Sequence, residues 1–168
     1  FVQGNGKEIK SYPSDITIKT WDWSYIALGV DSNKKSVTVH LMETPWSAGD
    51  QFVAQKKSVT IQLESAFKQS ETLRIAALSA GEIEEGRTFS RPIDVFTGRI
   101  QDIRFFNKQL SETNLEELKN KNLTRELLKS QISYWNFSKA IGTGNVLDDG
   151  KLGLHGKAVN VPERAVRG

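Results

Sequence analysis

The chain has 168 residues, of which 38% are hydrophobic and 26% charged; that length suits one core, and the balance is too apolar for a disordered chain. Twenty-three Lys and Arg stand against 20 Asp and Glu, and the absence of cysteine excludes disulfides, zinc–thiolate sites and cysteine nucleophiles. The longest apolar run, Ile26-Ala27-Leu28-Gly29-Val30, falls far short of the roughly 18 residues a spanning helix needs, which speaks against a membrane partner.

In chain order, the first strand is expected over Ser14–Trp23, with a short one at Tyr25–Val30. Ser36–Glu43 follows and alternates cleanly, with Val37, Val39 and Leu41 on one face and Thr38, His40 and Met42 on the other. Gln55–Leu63 repeats the pattern through Val59, Ile61 and Leu63, and Thr72–Leu78 does so through Leu73, Ile75 and Ala77. Phe96–Asn107 and Ile132–Phe137 complete the set. Turn residues separate these runs at Asp31-Ser32-Asn33, Ser47-Ala48-Gly49-Asp50 and Ala80-Gly81. One wet and one dry face is what an antiparallel sheet in a sandwich requires. No helical repeat lies between the early strands, so parallel crossover units are not expected. The fold class is therefore all-β, an antiparallel β-sandwich.

Two strands break their own alternation. Ser14–Trp23 jumps parity between Ile18 and Trp21, and Phe96–Asn107 does so between Ile100 and Ile103; either each carries a bulge or both faces are buried there. Helix is confined to 111–130, as one broken helix or two short ones. Ser111 and Asn122 are the expected caps, with Leu115 and Leu118 an i, i+3 pair and Leu123 and Leu127 spaced i, i+4.

The net charge is +3, and the last 18 residues account for all of it: Lys151, Lys157, Arg164 and Arg167 against Glu163. No Trp, Tyr or Phe is interleaved with them, so the stacking stripe of a nucleic-acid binder is missing, and nucleic acid is not the expected partner. The search for catalysis is nearly empty. His40 and His155 are the only histidines and form no metal-ligand pair, no nucleophile elbow is present, and the Gly142-Thr143-Gly144 run lacks a dinucleotide-loop context. Asp22, Glu43, Glu64 and Asp102 occur singly, without the carboxylate run of a glucanase. Asp148-Asp149-Gly150 reads as a turn rather than a calcium loop, because a calcium ion takes six or more oxygens. No catalytic residue, metal ligand or cofactor is assigned.

Aromatics say more. Trp21, Trp23 and Tyr25 follow at i, i+2 spacing and Trp46 falls beside Pro45. Trp46, Trp23 and Tyr25 are the candidate ligand-binding residues, because exposed aromatics of this kind stack on pyranose faces. The plainer alternative makes Trp21 and Trp23 core residues.

At Phe96–Leu115 the sequence resembles the closing strand of laminin-G-like (concanavalin A-like) jelly-roll domains. The residues that carry the likeness are Gly98, Ile100, Ile103, Arg104, Phe106, Asn107, Leu110 and Ser111, with Gln101 standing where that pattern has Asp. Ser14–Trp23 is similar to that family's early strand. Further on come Tyr134-Trp135-Asn136-Phe137-Ser138, Asp148, His155-Gly156, Asn160, Pro162, Arg164 and Val166. Their order after a closing strand and helix resembles the large subunits of the bacterial N,N-dimethylformamidase family, in which a jelly-roll module precedes the catalytic region. The resemblance implies a non-catalytic accessory domain of a larger, metal-dependent amidohydrolase whose metal ligands lie beyond residue 168.

The expectations are a jelly-roll sandwich over 1–138 and, over 139–168, a C-terminal strand or extension leading to a downstream domain. The role expected is structural, with other domains or subunits of the parent enzyme as partners; the alternative is a carbohydrate-binding, lectin-like module. The chain reads as a piece of a longer polypeptide, since it opens on Phe1 without a leader, and zero cysteine suits the cytoplasm.

Overall fold

The computed structural model describes residues 2–4, 9–19, 23–44, 55–65, 75–84, 87–93 and 95–159. Two short strands, β1 (Val2–Gly4) and β2 (Ile9–Ser11), pair antiparallel. The main sheet follows, with β3 (Trp23–Asp31), β4 (Ser36–Thr44) and β5 (Lys56–Gln62) in the order β3-β4-β5, all antiparallel. Asp31 closes the first hairpin, its Oδ1 accepting from the N–H groups of Asn33 and Lys34 at 3.0 Å each. The turn expected there is present, and Lys35 completes it at φ 50°.

The expected alternation of β4 holds for one face only, since Met42 of the opposite face is itself 1% exposed. Val37, Val39 and Leu41 are buried on one face, where β-branched side chains pack well against a pleated surface. Val37, Val39, Ile61 and Leu63 form a core cluster on which Tyr12, Ile16 and Val59 pack. Residues 12–19 therefore cross this face as a strap. At one end the Tyr12 hydroxyl accepts from the Glu64 N–H at 3.5 Å, and at the other Lys19 reaches the buried Glu43 carboxylate at 3.3 Å. The strap joins no ladder, which corrects the strand expected over Ser14–Trp23; residues 20–22 lie outside the described residues. The short strand expected at Tyr25–Val30 runs instead for the nine residues of β3.

β6 (Leu78–Glu84) and β7 (Arg87–Ile93) form a second hairpin, with Leu78 opposite Ile93. The strand expected over Thr72–Leu78 is displaced. Ala76 sits at φ 67°, outside extended backbone, and pairing begins only at Leu78. Ala80-Gly81, expected to turn, lies within β6 opposite Arg91 and Ser90. The Ser47–Asp50 turn falls outside the described residues.

β8 (Ile103–Phe106) occupies only the end of the expected Phe96–Asn107 strand, because Asp102 at φ 55° breaks the extended run. Two helices follow, as expected within 111–130. α1 (Glu112–Lys119) is capped by Ser111, whose hydroxyl accepts from the Asn114 N–H at 3.2 Å. It buries Leu115 and Leu118. α2 (Arg125–Ser130) is capped by Thr124 rather than Asn122 and buries Leu127. Lys56 of β5 meets Glu116 and Glu112 of α1 at 3.1 and 3.2 Å, and those carboxylates hold its ammonium pKa above the ordinary range. α2 runs directly into β9 (Gln131–Trp135), which pairs antiparallel with β8. Last come β10 (Asn145–Val146) and β11 (Gly156–Lys157), a short antiparallel pair. The described residues are thus mostly strands in antiparallel sheets with two short helices, an all-β arrangement. Among them no helix is long and apolar enough to cross a membrane.

Candidate functional site

The segment between β10 and β11 is tied to β9 through one carboxylate. Asp148 is 5% exposed. Its Oδ1 accepts from the N–H groups of Tyr134 and Gly150, each at 2.7 Å, and its Oδ2 from that of Leu154 at 2.8 Å. Burial alone pushes this carboxyl up, but the three backbone donors outweigh it and hold its pKa below the ordinary carboxylate range. The buried Ser133 hydroxyl lends a smaller pull in the same direction without meeting hydrogen-bond geometry. The Asp148 N–H donates to His155 Nδ1 at 3.1 Å, which selects the neutral tautomer carrying its proton on Nε2.

Backbone bonds reinforce the tie. Asp149 N–H donates to the Tyr134 carbonyl at 2.8 Å and Leu152 N–H to the Ile132 carbonyl at 3.2 Å. Trp135 pairs with Asp148 as an isolated bridge, and its indole N–H donates to the Leu154 carbonyl at 2.8 Å. Gly150 passes so close to β9 that a Cβ there would lie 2.4 Å from Ser133 Cα and 2.5 Å from the Ile132 oxygen. Gly150→Ala is accordingly expected to cost about 1–3 kcal/mol in a urea melt, the range for forced overpacking. An unchanged midpoint would contradict the close approach.

Trp135, Asp148 and His155, which the sequence strings over some twenty residues, thus meet in one knot. Asn160, Pro162, Arg164 and Val166 of the same run lie outside the described residues. Both Asp148 oxygens face N–H donors, so the carboxylate organises a turn and presents no oxygen ring to a cation.

A second cluster lies on β8 and β9. The Arg104 guanidinium stacks 3.8 Å above the centre of the Tyr134 ring, and its Nη1 donates to Gln131 Oε1 at 2.7 Å. Gln131 reaches that face because the ladder shifts register between Phe105 and Phe106, setting Phe106 opposite Gln131 and leaving Ile132 out of the pairing. The Tyr134 hydroxyl donates to Asp102 Oδ1 at 2.9 Å. Burial, then the Asp102 hydrogen bond, raise the Tyr134 phenol pKa. Tyr25 of β3 lies near enough that burial, which raises its phenol pKa, is partly opposed by the Arg104 charge.

Of the aromatic candidates, Trp23 and Tyr25 share one face of β3 and are half-buried, and Trp46 lies outside the described residues. Trp23 pairs with Thr44 at the sheet end and Tyr25 with Met42, while Tyr25 lies within electrostatic reach of Arg104, a neighbour that sequence reasoning did not supply. Of the carboxylates considered singly, Glu43 is buried and accepts from Lys19 and the Gln55 N–H, and Asp102 accepts from Tyr134. Asp22 lies outside the described residues. Among the described residues no three His, Asp or Glu side chains converge where a metal ion could be held.

No family model matches the chain. It is 26% identical, over all of its length, to the N,N-dimethylformamidase beta subunit of Alcaligenes sp. It is 25% identical, over 87% of its length, to the N,N-dimethylformamidase beta subunit of Paracoccus aminophilus. The chain spans only 23% and 20% of those relatives' own lengths. It is distantly homologous to a stretch of those beta subunits.

Proposed function

We propose that the chain is a non-catalytic accessory module, structural or subunit-binding, of a larger amidohydrolase resembling N,N-dimethylformamidase. The observation that carries this reading is the likeness along the whole chain to beta subunits of which it makes up only 23% and 20%. The site's chemistry supports it. Asp148 and Glu43 are buried and engaged by backbone N–H groups, and His155 accepts from backbone, so these side chains hold loops rather than face a substrate. In this reading residues 1–138 form a concanavalin A-like jelly-roll sandwich and 139–168 lead toward the catalytic region. Its partners are other domains or subunits of the enzyme, and the described residues here do not fit the metal such an enzyme would carry.

The test is expression of the 168-residue chain alone and of the full-length polypeptide with and without it. The isolated chain is expected to release no dimethylamine from N,N-dimethylformamide, and its deletion to impair assembly of the parent on size exclusion. Turnover by the isolated chain, or an unaltered assembly without it, would overturn the reading. Saturable polysaccharide binding lost in Trp46→Ala would replace it with the lectin-like one.

A further inference from the structure

We propose that two copies of this chain pair along β3, an outer strand of the main sheet, in an antiparallel seam with a two-fold axis through Ala27. This goes beyond the accessory role and does not rest on it.

β3 is an open edge. It ladders with β4 over nine residues without a register shift, and it ends the sheet order β3-β4-β5. Among the described residues no group takes up the N–H and C=O groups on its far side. Such an edge is a template for another strand, and proteins that stay single blunt it with lysine, proline or a bulge. The other outer strand of the sheet is blunted in this way. β5 opens on Lys56 and Lys57; Lys56 is tied to α1 by Glu112 and Glu116, and Lys57 Nζ donates to the Asp15 carbonyl. β3 has none of these devices, since from Trp23 to Val30 it carries no charge and no proline.

Apolar side chains line the same edge. Ile26, Leu28 and Val30 pair with Leu41, Val39 and Val37, so they share the core face of the sheet. Tyr12 and Ile16 of the strap pack on that face over the β4 and β5 cluster. The β3 row is left 47%, 57% and 44% exposed at Ile26, Leu28 and Val30.

The strand also complements itself. A second copy centred on Ala27 pairs all nine residues and sets Ile26 against the second copy's Leu28, twice over by symmetry. On the other face Tyr25 falls opposite Gly29 and Ala27 opposite itself, so no two large side chains are forced together. The one charge of the strand, Asp31, meets Trp23 rather than a second Asp31, and like charges never oppose across the seam. The two copies together bring roughly 500 Å² of apolar side chain that faces water in the single chain, in addition to two unpaired backbone edges. That is the scale of a weak dimer that forms with rising concentration, not of an obligate one.

The experiment is sedimentation of the whole 168-residue chain across about 5 to 500 μM, the range in which a weak dimer assembles. The average mass is expected to rise from one chain toward two. Leu28→Lys, a substitution at an exposed position, is expected to weaken the association at least about tenfold while leaving the urea midpoint unchanged, because a lysine on the edge is left without a partner at the seam. The register is read by cross-linking, which the lack of native cysteine makes clean. Ala27→Cys is expected to give a covalent dimer under diamide, since directly opposed residues lie about 4.5–5.5 Å apart at Cα, within disulfide reach. Thr60→Cys on β5, equally able to collide in solution, is expected to stay mostly single. A chain that remains monomeric throughout, a Leu28→Lys variant that associates like wild type, or equal cross-linking of the two cysteine variants would overturn the proposal.

Discussion

Asp148→Ala is expected to destabilise the fold by about 3–5 kcal/mol at neutral pH, measured by urea unfolding. Three backbone N–H groups lose their acceptor at once. Each buried donor left unsatisfied costs about 1–3 kcal/mol, and rehydration of the loop recovers part of the sum. Asp148→Asn should fall between the two, since one oxygen remains and an amide NH2 now opposes a donor. Acid supplies an independent check. The folded carboxyl titrates below its unfolded value, so as pH falls the unfolded chain binds the proton first. The contribution of Asp148 is therefore complete above the ordinary carboxylate pKa of about 3.9 and is lost as pH drops through the lower folded value. The gap between wild type and Asp148→Ala should be the same at about pH 7 and pH 5 and narrow below about pH 4. A variant within about 0.5 kcal/mol of wild type at neutral pH would remove Asp148 from its assigned role.

The same residue shows where sequence reading stops. Asp148 and Asp149 are chemically identical neighbours, yet one is buried against three amides and the other pairs with Lys139 at the surface. Which carboxylate turns inward depends on where β9 presents its N–H groups, and no local pattern encodes that. β4 lay at the opposite extreme. Its period-two run of Val37, Val39 and Leu41 marks one buried face, although Met42 and Ser36 of the other face are buried as well. β3 was read short because both of its faces carry large side chains. Trp23 and Tyr25 alternate against Ile26 and Leu28, so no dry face stands out in the sequence; Gly29 adds a gap that the Gln109 side chain approaches to 3.2 Å of a built Cβ.

Backbone breaks were equally hidden. Asp102 and Lys121 adopt φ of 55° and 58°. The first starts β8 late, and the second moves the cap of α2 from Asn122 to Thr124, although both residue types can cap. The cluster around Arg104 depends on a register shift, which places Gln131 beside a residue 27 positions away. The motif that carried the family resemblance contains Arg104, but its hydrogen-bond partner Gln131 lies outside it.

Trp135→Ala should produce a loss of similar size, about 3–5 kcal/mol, the range for truncating a large buried aromatic. Trp135 is 4% exposed, sits edge-on to Phe105 with ring centres 5.2 Å apart, and donates its indole N–H to the Leu154 carbonyl. The alanine variant opens a cavity between β8 and β9 and removes the bond that fastens the far end of the Asp148 loop. Trp135→Phe separates these effects. It keeps most of the apolar volume but has no donor, so the Leu154 carbonyl must find water, at a cost of about 1 kcal/mol in addition to lost packing. The two variants are best compared by urea melts together with amide exchange. Both should speed exchange at Leu154 and Gly150, whose N–H groups reach Asp148 only while the loop lies against β9, and the alanine variant should also speed exchange through β9 itself. If Trp135→Ala cost less than about 1 kcal/mol, the indole would not be a core residue, and the knot would owe its stability to the carboxylate alone.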